Sequence, residues 1–351
     1  MKRIAVIPGD GIGPEVIAEA VRTVEAATEL FGLDLSLTSF DWGAEKYLAT
    51  GITLPEDALQ MLASEYDAIL AGAFGDPRVP DNKHAADILL GMRSGLDLYI
   101  NLRPIKLIDE RLCPLKGRGP ADVNFVVFRE NTEGMYVFVG GNFKKGSADE
   151  IALQEEINTR KGVERIIIAA FEYAREHGRK RVTMSDKSNV LTYGHDLWRR
   201  TFKQVAARYP DIEANHLYVD VLTMWMALDP GRFEVIVTNN LFGDIITDLG
   251  AALQGGLGMA ASGNIHPGRV SLFEPVHGSA PQFAGKNVSN PIAAILTAAM
   301  MLDYLGFKEA SAKIEKAVEG AVHAGETTTD IGGKLSTTEA GEAIRLRLRK
   351  Q

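Results

Sequence analysis

The chain opens on an apolar run, Ile4-Ala5-Val6-Ile7, that stops at Pro8-Gly9-Asp10-Gly11-Ile12-Gly13. Arg3 to Ile7 therefore reads as a strand. Pro14 has a backbone suited to the first position of a helix, which runs to about Leu30. Alternation at Leu33, Leu35 and Leu37 predicts a second strand over Leu33 to Phe40, and Asp67 to Ala71 is a short apolar strand closed by Gly72. Strands alternating with helices predict an α/β fold with a largely parallel sheet.

The middle of the chain has a different texture. Leu96 to Leu102 is expected to be extended, because Pro104 disfavours helix at Arg103. Asn124 to Phe128 is a strand. Val137 to Gly146, with its glycines, aromatics and two lysines, has the pattern of a hairpin or projecting arm. A long helix follows over Asn158 to His177, a strand over Arg181 to Met184, a helix over Thr201 to Tyr209 and an extended segment over His216 to Val219. Phe233 to Thr238 is strand-like and leads into a helix at Gly243-Asp244-Ile245-Ile246. From Asn290 onward Ala- and Leu-rich helices dominate. The most apolar run, Pro291 to Leu302, is too short to span a bilayer and reads as a buried helix in a core or subunit interface. There are no repeats and no low-complexity linker, so composition marks no domain boundary.

Charge narrows the function classes. Lys plus Arg total 38 and Asp plus Glu 46, a net charge of -8 on 351 residues, which argues against nucleic-acid or anionic-membrane binding but leaves room for a local basic pocket. The single cysteine, Cys113, permits no intrachain disulfide, and the apolar stretch at the N-terminus is too short for a signal-peptide core. Both features point to the cytoplasm.

Three clusters carry candidate chemistry. Asp244 and Asp248 are four residues apart and share one helical face; two like charges at that spacing repel. Either they bind a divalent cation such as magnesium or manganese, or, as acids in a first turn, they complement the helix dipole. Arg93, Arg103 and Arg129 stand at strand or helix ends, where guanidinium groups could grip the carboxylates of a small dicarboxylate, with Glu130 beside Arg129 as a ready neutraliser. The adjoining Ile88, Leu89 and Leu90 would favour an alkyl group if they line the same pocket. The Gly9 to Gly13 loop lies between a strand and a helix, but its G-x-G-x-G spacing followed by proline is not the dinucleotide fingerprint. Its glycines could still bring backbone close to a ligand.

The assembled motifs resemble those of the decarboxylating β-hydroxyacid dehydrogenases, the family of isocitrate, 3-isopropylmalate, homoisocitrate and tartrate or D-malate dehydrogenases. The resemblance spans essentially the whole chain: Pro8 to Val16, Asn101 to Pro104, Arg129 to Gly134, Asp186 to Leu191, Asn240 to Asp248, Glu274 to Pro281 and Asp330 to Gly333. It implies a two-domain, isopropylmalate-dehydrogenase-like α/β fold with parallel or mixed sheets, not a standard Rossmann fold. A large cofactor-side domain would combine residues 1–98 and 256–351. A central domain, 99–255, would carry substrate and metal residues and the arm. The family is typically a homodimer with shared active sites.

Residue by residue, the resemblance makes Arg93, Arg103 and Arg129 the substrate-carboxylate arginines. Tyr136 and Lys187 become catalytic, and Asp220, Asp244 and Asp248 the ligands of Mg2+ or Mn2+, with Lys187 and Asp220 contributed across the dimer. For the cofactor it implies Asn189 near the nicotinamide, the loop Glu274, His277, Gly278, Ser279, Ala280 and Gln282, and Asn290 and Asp330 beside His277. Gln282-Phe283 matches neither the Asp-Ile of NAD-preferring members nor the Lys-Tyr of NADP-preferring ones. With no replacement cation there, NAD is expected. The isocitrate branch carries serine and asparagine near Ile88-Leu89-Leu90 to meet a third carboxylate. The apolar triplet implies instead oxidative decarboxylation of 3-isopropylmalate, in leucine biosynthesis. Tartrate or D-malate, recommended by Val221-Leu222-Thr223, is the alternative, then homoisocitrate or isocitrate. A non-catalytic homologue should have lost Tyr136, Lys187 or a metal aspartate; all are present.

Overall fold

The computed structural model describes residues 1–350. The described chain forms two compact units: residues 1–98, 103–123 and 251–350 in the first, 99–102 and 124–250 in the second. The segment Arg103–Val123, expected in the central domain, thus belongs with the terminal parts.

In the first unit, strand β1 (Lys2–Ile7) leads to helix α1 (Gly13–Phe31), then β2 (Leu35–Ser39), α2 (Ala44–Thr50), α3 (Ala58–Glu65), β3 (Ala68–Ala71) and α4 (Lys83–Gly95). Proline opens α1 and Gly32, with φ of 61°, closes it. Strand β4 (Ile100–Lys106) runs through Pro104, so the extended segment starts later than Leu96 and continues past the proline; α4 occupies the residues up to Gly95.

The second unit starts with β5 (Asn124–Glu130), followed by β6 (Gly140–Phe143), β7 (Ile151–Gln154), α5 (Arg160–Glu176), β8 (Arg181–Asp186), α6 (Gly194–Ala206), β9 (Glu213–Tyr218), α7 (Val219–Leu228), β10 (Val235–Thr238) and α8 (Asn240–Leu253). Its strands β5, β10, β8 and β9 pair in that order, all parallel. All four residues of β10, Val-Ile-Val-Thr, are buried, as expected of a strand covered on both faces. Thr159 caps α5 by accepting the Gly162 N–H. The arm expected at Val137 to Gly146 is the antiparallel hairpin β6–β7, exposed at every position. The helix expected over Thr201 to Tyr209 is α6, which begins earlier, at Gly194.

The chain then completes the first unit with β11 (Ala261–Ile265), β12 (Ser271–Pro275), α9 (Ile292–Tyr304), α10 (Lys308–His323) and α11 (Thr337–Arg349). Here β2, β1, β3 and β12 are parallel and β11 is antiparallel to β12. The apolar run at Pro291 becomes α9, which packs against α1 and α10, with Ile295, Ala298 and Ala299 fully buried. A capping box, Ser336 with Glu339, starts α11. No helix among the described residues is long and apolar enough to cross a membrane.

The glycines of the first loop serve this packing. A Cβ on Gly9 would meet the Ala73 carbonyl oxygen at 2.3 Å, on Gly11 the Ser279 oxygen at 2.0 Å, and on Gly13 the Pro8 oxygen at 2.3 Å. They let backbone approach backbone.

Candidate active site

In the second unit the sheet delivers Arg129 at the penultimate position of β5, inside the strand rather than just after it. Arg129 is 2% exposed. Its Nε and Nη2 donate to Asn240 Oδ1 at 3.0 and 2.7 Å, and Nη1 donates to Asp244 Oδ1 at 2.5 Å. Glu130 does not neutralise it: successive strand residues face opposite sides, and the Glu130 carboxylate accepts instead from the N–H groups of Thr132 and Glu133 and the Thr132 hydroxyl. Tyr136 donates its hydroxyl to Asp244 Oδ2 at 2.9 Å, and its ring lies 5.4 Å from the Arg129 guanidinium carbon. Arg129, Tyr136 and Asp244 are therefore one cluster.

Helix α8 starts at Asn240, so Asp244 lies beyond its first turn and Asp248 a turn further; the first turn contains no acid. Dipole stabilisation decays within a turn, so the dipole reading of this pair is overturned. The two carboxylates share a face at the i,i+4 spacing, a donor set of hard oxygens suited to a magnesium-like ion. No three His, Cys, Asp or Glu side chains converge to hold a metal among the described residues of the single chain.

Lys187 follows β8, and its Nζ donates to Asp220 Oδ1 at 2.5 Å. Asp220 lies in the first turn of α7, not at a strand end. The Lys187 ammonium, by hydrogen bond and charge, holds the Asp220 carboxyl below the ordinary carboxylate range. Asn189 is exposed in the loop after Lys187. Sequence reasoning missed Glu156, His195 and Asn239, which bond to one another behind this loop, and Asn240, which orients Arg129. Asn240 lay inside a quoted motif; the others had no local pattern to reveal them.

In the first unit, Arg93 lies in the last turn of α4 and donates through Nη2 to Glu274 Oε1 at 2.9 Å, while Asn264 Nδ2 donates to the same oxygen at 2.9 Å. Glu274 is 6% exposed. Its carboxylate is engaged by Arg93 and Asn264. Arg103 is buried in β4. Ile88 is 0% exposed within the core formed with Ile69, Leu62 and Leu272, and Leu89 packs against that core. Ile88 is thus a packing residue, which corrects its assignment to the substrate; Leu89 and Leu90 are half-buried.

A profile of the family described as Isocitrate/isopropylmalate dehydrogenase matches residues 3–344. The chain belongs to this family. It is 46% identical over 351 residues to a 3-isopropylmalate dehydrogenase of Thermobifida fusca, covering 99% of this chain and 98% of that one. It is also 46% identical over 344 residues to one of Mycobacterium tuberculosis, at 97% and 98% coverage. Among solved structures it resembles isocitrate dehydrogenase from Methylococcus capsulatus, with a TM-score of 0.91 and 37% identity, covering 99% of this chain and all of that chain. The TT0538 protein from Thermus thermophilus gives a TM-score of 0.88 at 38% identity, with 99% and 68% covered. Like its family, the chain is a decarboxylating dehydrogenase, an oxidoreductase acting on a small hydroxy acid.

The family's cofactor loop has features that fit a dinucleotide. His277 Nε2 is buried without a partner, while Nδ1 lies 3.1 Å from the Gly278 carbonyl. Burial lowers the His277 pKa, so the ring stays neutral. A Cβ on Gly278 would meet nothing within 4 Å, so the backbone there faces open space. Asn290 Nδ2 donates to Asp330 Oδ2 at 3.0 Å, joining two more of the expected cofactor residues. Ser279 differs: its carbonyl accepts the Ile12 N–H at 2.8 Å. Ala280 has a φ of 39°, and Gln282 is exposed in the turn Pro281–Phe283.

Proposed function

We propose that this enzyme oxidatively decarboxylates 3-isopropylmalate with NAD and Mg2+ or Mn2+, in leucine biosynthesis in the cytoplasm. The observation that carries the substrate is that α4 presents Leu89 and Leu90, one turn before Arg93, where a third substrate carboxylate would need a polar partner. An isopropyl group gains roughly 1.5–3 kcal/mol from burial against such side chains. The 3-isopropylmalate dehydrogenases at 46% identity support the same choice.

Asp244 and Asp248 of one subunit with Asp220 of another would hold the metal. His277, Gly278, Asn290 and Asp330 would hold the adenosine end of NAD, and Asn189 would stand near its nicotinamide. Bound, the metal would supply Lewis-acid stabilisation of negative charge on substrate oxygens, and NAD would accept the hydride. Arg93, Arg103 and Arg129 would supply positive charge and guanidinium hydrogen bonds to the substrate carboxylates. The Lys187–Asp220 pair takes the proton of the substrate hydroxyl. After carbon dioxide leaves, Tyr136 gives a proton to the carbon it left. A homodimer accounts for both Lys187 and Asp220 lying in a cluster of their own. Val190, Tyr193, Met224 and Leu228, near this pair in sequence, are exposed apolar residues of the kind subunit contact covers, Tyr193 at 92%.

The test is reduced-cofactor absorbance with NAD and Mg2+, comparing kcat/KM for 3-isopropylmalate, D-malate, tartrate, homoisocitrate and isocitrate. Turnover of 3-isopropylmalate above the others is expected. D-malate or tartrate alone would replace the substrate, and no turnover of any would remove the reading.

A further inference from the structure

We propose that Glu156 and His195 are positioning residues for Lys187, and that Glu156, through Asn239, ties the lysine loop to the start of α8. The proposal rests on the reading of Lys187 as a proton-transfer group.

The Lys187 backbone N–H donates to His195 Nδ1 at 2.8 Å. A peptide N–H can only donate, so Nδ1 carries the lone pair and the neutral ring holds its proton on Nε2. That proton faces Glu156 Oε1 at 3.1 Å. Asn239 Nδ2 donates to the same oxygen at 3.2 Å. The amide of Asn239 has a fixed sense, because its Oδ1 accepts the Phe242 N–H at 2.9 Å. Asn239 Nδ2 and His195 Nε2, 3.1 Å apart, are therefore two donors side by side converging on one carboxylate oxygen.

His195 is fully buried, and the Phe242 ring meets it edge-on at 5.5 Å. Burial works to raise the Glu156 pKa, but hydrogen bonds from His195, Asn158 and Asn239 hold it below its ordinary value. The carboxylate thus selects one tautomer, and that tautomer accepts from Lys187. The opposite tautomer would turn N–H against N–H.

The rest of the lysine peptide is also held. The Lys187 carbonyl accepts from the N–H groups of Val190 at 3.0 Å and Leu191 at 2.9 Å, and the His195 N–H returns to the Leu191 carbonyl at 3.2 Å. With N–H and carbonyl both fixed, the Lys187 side chain leaves the backbone from a set point toward Asp220. Glu156 bonds at once to the ring that holds this loop and to Asn239, the residue that caps α8 and directly precedes the Arg129-binding Asn240. Neither Glu156 nor His195 belongs to the reacting set; each acts through Lys187.

Two substitutions at one site separate positioning from polar filling. In His195→Asn the amide oxygen stands where Nδ1 stood and still accepts the Lys187 N–H. In His195→Gln the amide reaches the Nε2 position and leaves that N–H without its acceptor. Displacing a reacting group by about 1 Å costs about 100-fold. His195→Asn should keep kcat within about threefold, and His195→Gln should lose about 10- to 100-fold, with the KM for NAD unchanged in both. Equal kcat values, or a better Gln variant, would overturn the proposal. If His195→Gln does not fold, Glu156→Leu decides: it should lower kcat about tenfold at unchanged Tm, and unchanged kcat sinks the idea. Lys187→Ala belongs in the same series. Retained turnover there refutes the proton-transfer reading itself. Lost turnover there, with Asn and Gln alike, refutes only the positioning role.

Discussion

Arg129 Nη1 donates to Asp244 Oδ1 at 2.5 Å, so a buried guanidinium at the end of β5 holds a carboxylate of α8. The same guanidinium spends its Nε and Nη2 on Asn240. The planar fork serves two acceptors at once, and a lysine ammonium on a flexible stem would not reproduce that geometry. Arg129→Lys should therefore raise the KM for substrate and lower kcat/KM by about 10- to 100-fold, on the order of 1.4–2.7 kcal/mol of transition-state binding. Charge is conserved in this variant. Steady-state kinetics that leave kcat/KM within twofold of wild type would show that charge alone suffices.

Substrate choice makes a separate prediction at α4. Leu90 is half-buried, whereas Ile88 faces the core. Leu90→Ser should lower kcat/KM for 3-isopropylmalate by about 10-fold, in line with roughly 1–3 kcal/mol for a methylene-scale loss in an apolar pocket. The value for D-malate, which has no isopropyl group, should change far less. A parallel drop for both substrates would mean that Leu90 supports the fold rather than reads the alkyl group.

The two leucines also show how far the sequence carries. Fold class, hairpin and buried α9 were legible because period-2 and 3.6-residue patterns are local properties of the chain. Side-chain direction was less so: Ile88, Leu89 and Leu90 are adjacent, and only the helix phase separates the core residue from its neighbours. Asp220 followed a segment read as extended but lies in the first turn of α7, and the Asp244–Asp248 pair was put on the right helix but too near its start, because Asn239 caps α8 by accepting the Phe242 N–H before the apolar run signals it. Partners distant in sequence were invisible. Nothing local to Glu274 announces Arg93, and nothing near Glu156 announces His195.

His277 gives a pH dependence with a definite sign. Burial lowers its pKa from the ordinary 6.5. Below that value the unfolded chain binds a proton that the folded chain refuses, so unfolding is favoured as pH falls. The contribution of His277 to stability is intact above about pH 6.5 and shrinks progressively as pH drops toward the lowered folded value. Urea unfolding of wild type and His277→Gln at several pH values should show the difference between them moving against wild type on acidification. A difference independent of pH would show that the folded ring titrates normally.

Gly243 provides the sharpest contrast between local propensity and site geometry. It lies inside α8, where glycine is unfavourable by roughly 0.8–1 kcal/mol relative to alanine. A Cβ there would sit 2.6 Å from Arg129 Cβ, 2.5 Å from Cγ and 3.0 Å from Cδ. The far end of that side chain is pinned by Asn240 and Asp244, so the stem has little freedom to retreat. Gly243→Ala should therefore forfeit the helix gain and displace the guanidinium from its two acceptors. The expected outcome is a KM for substrate raised about tenfold or more, a KM for NAD unchanged, and a Tm no higher than wild type. A more stable variant with wild-type kinetics would mean that Arg129 can yield at no cost, and that the glycine does not serve the arginine.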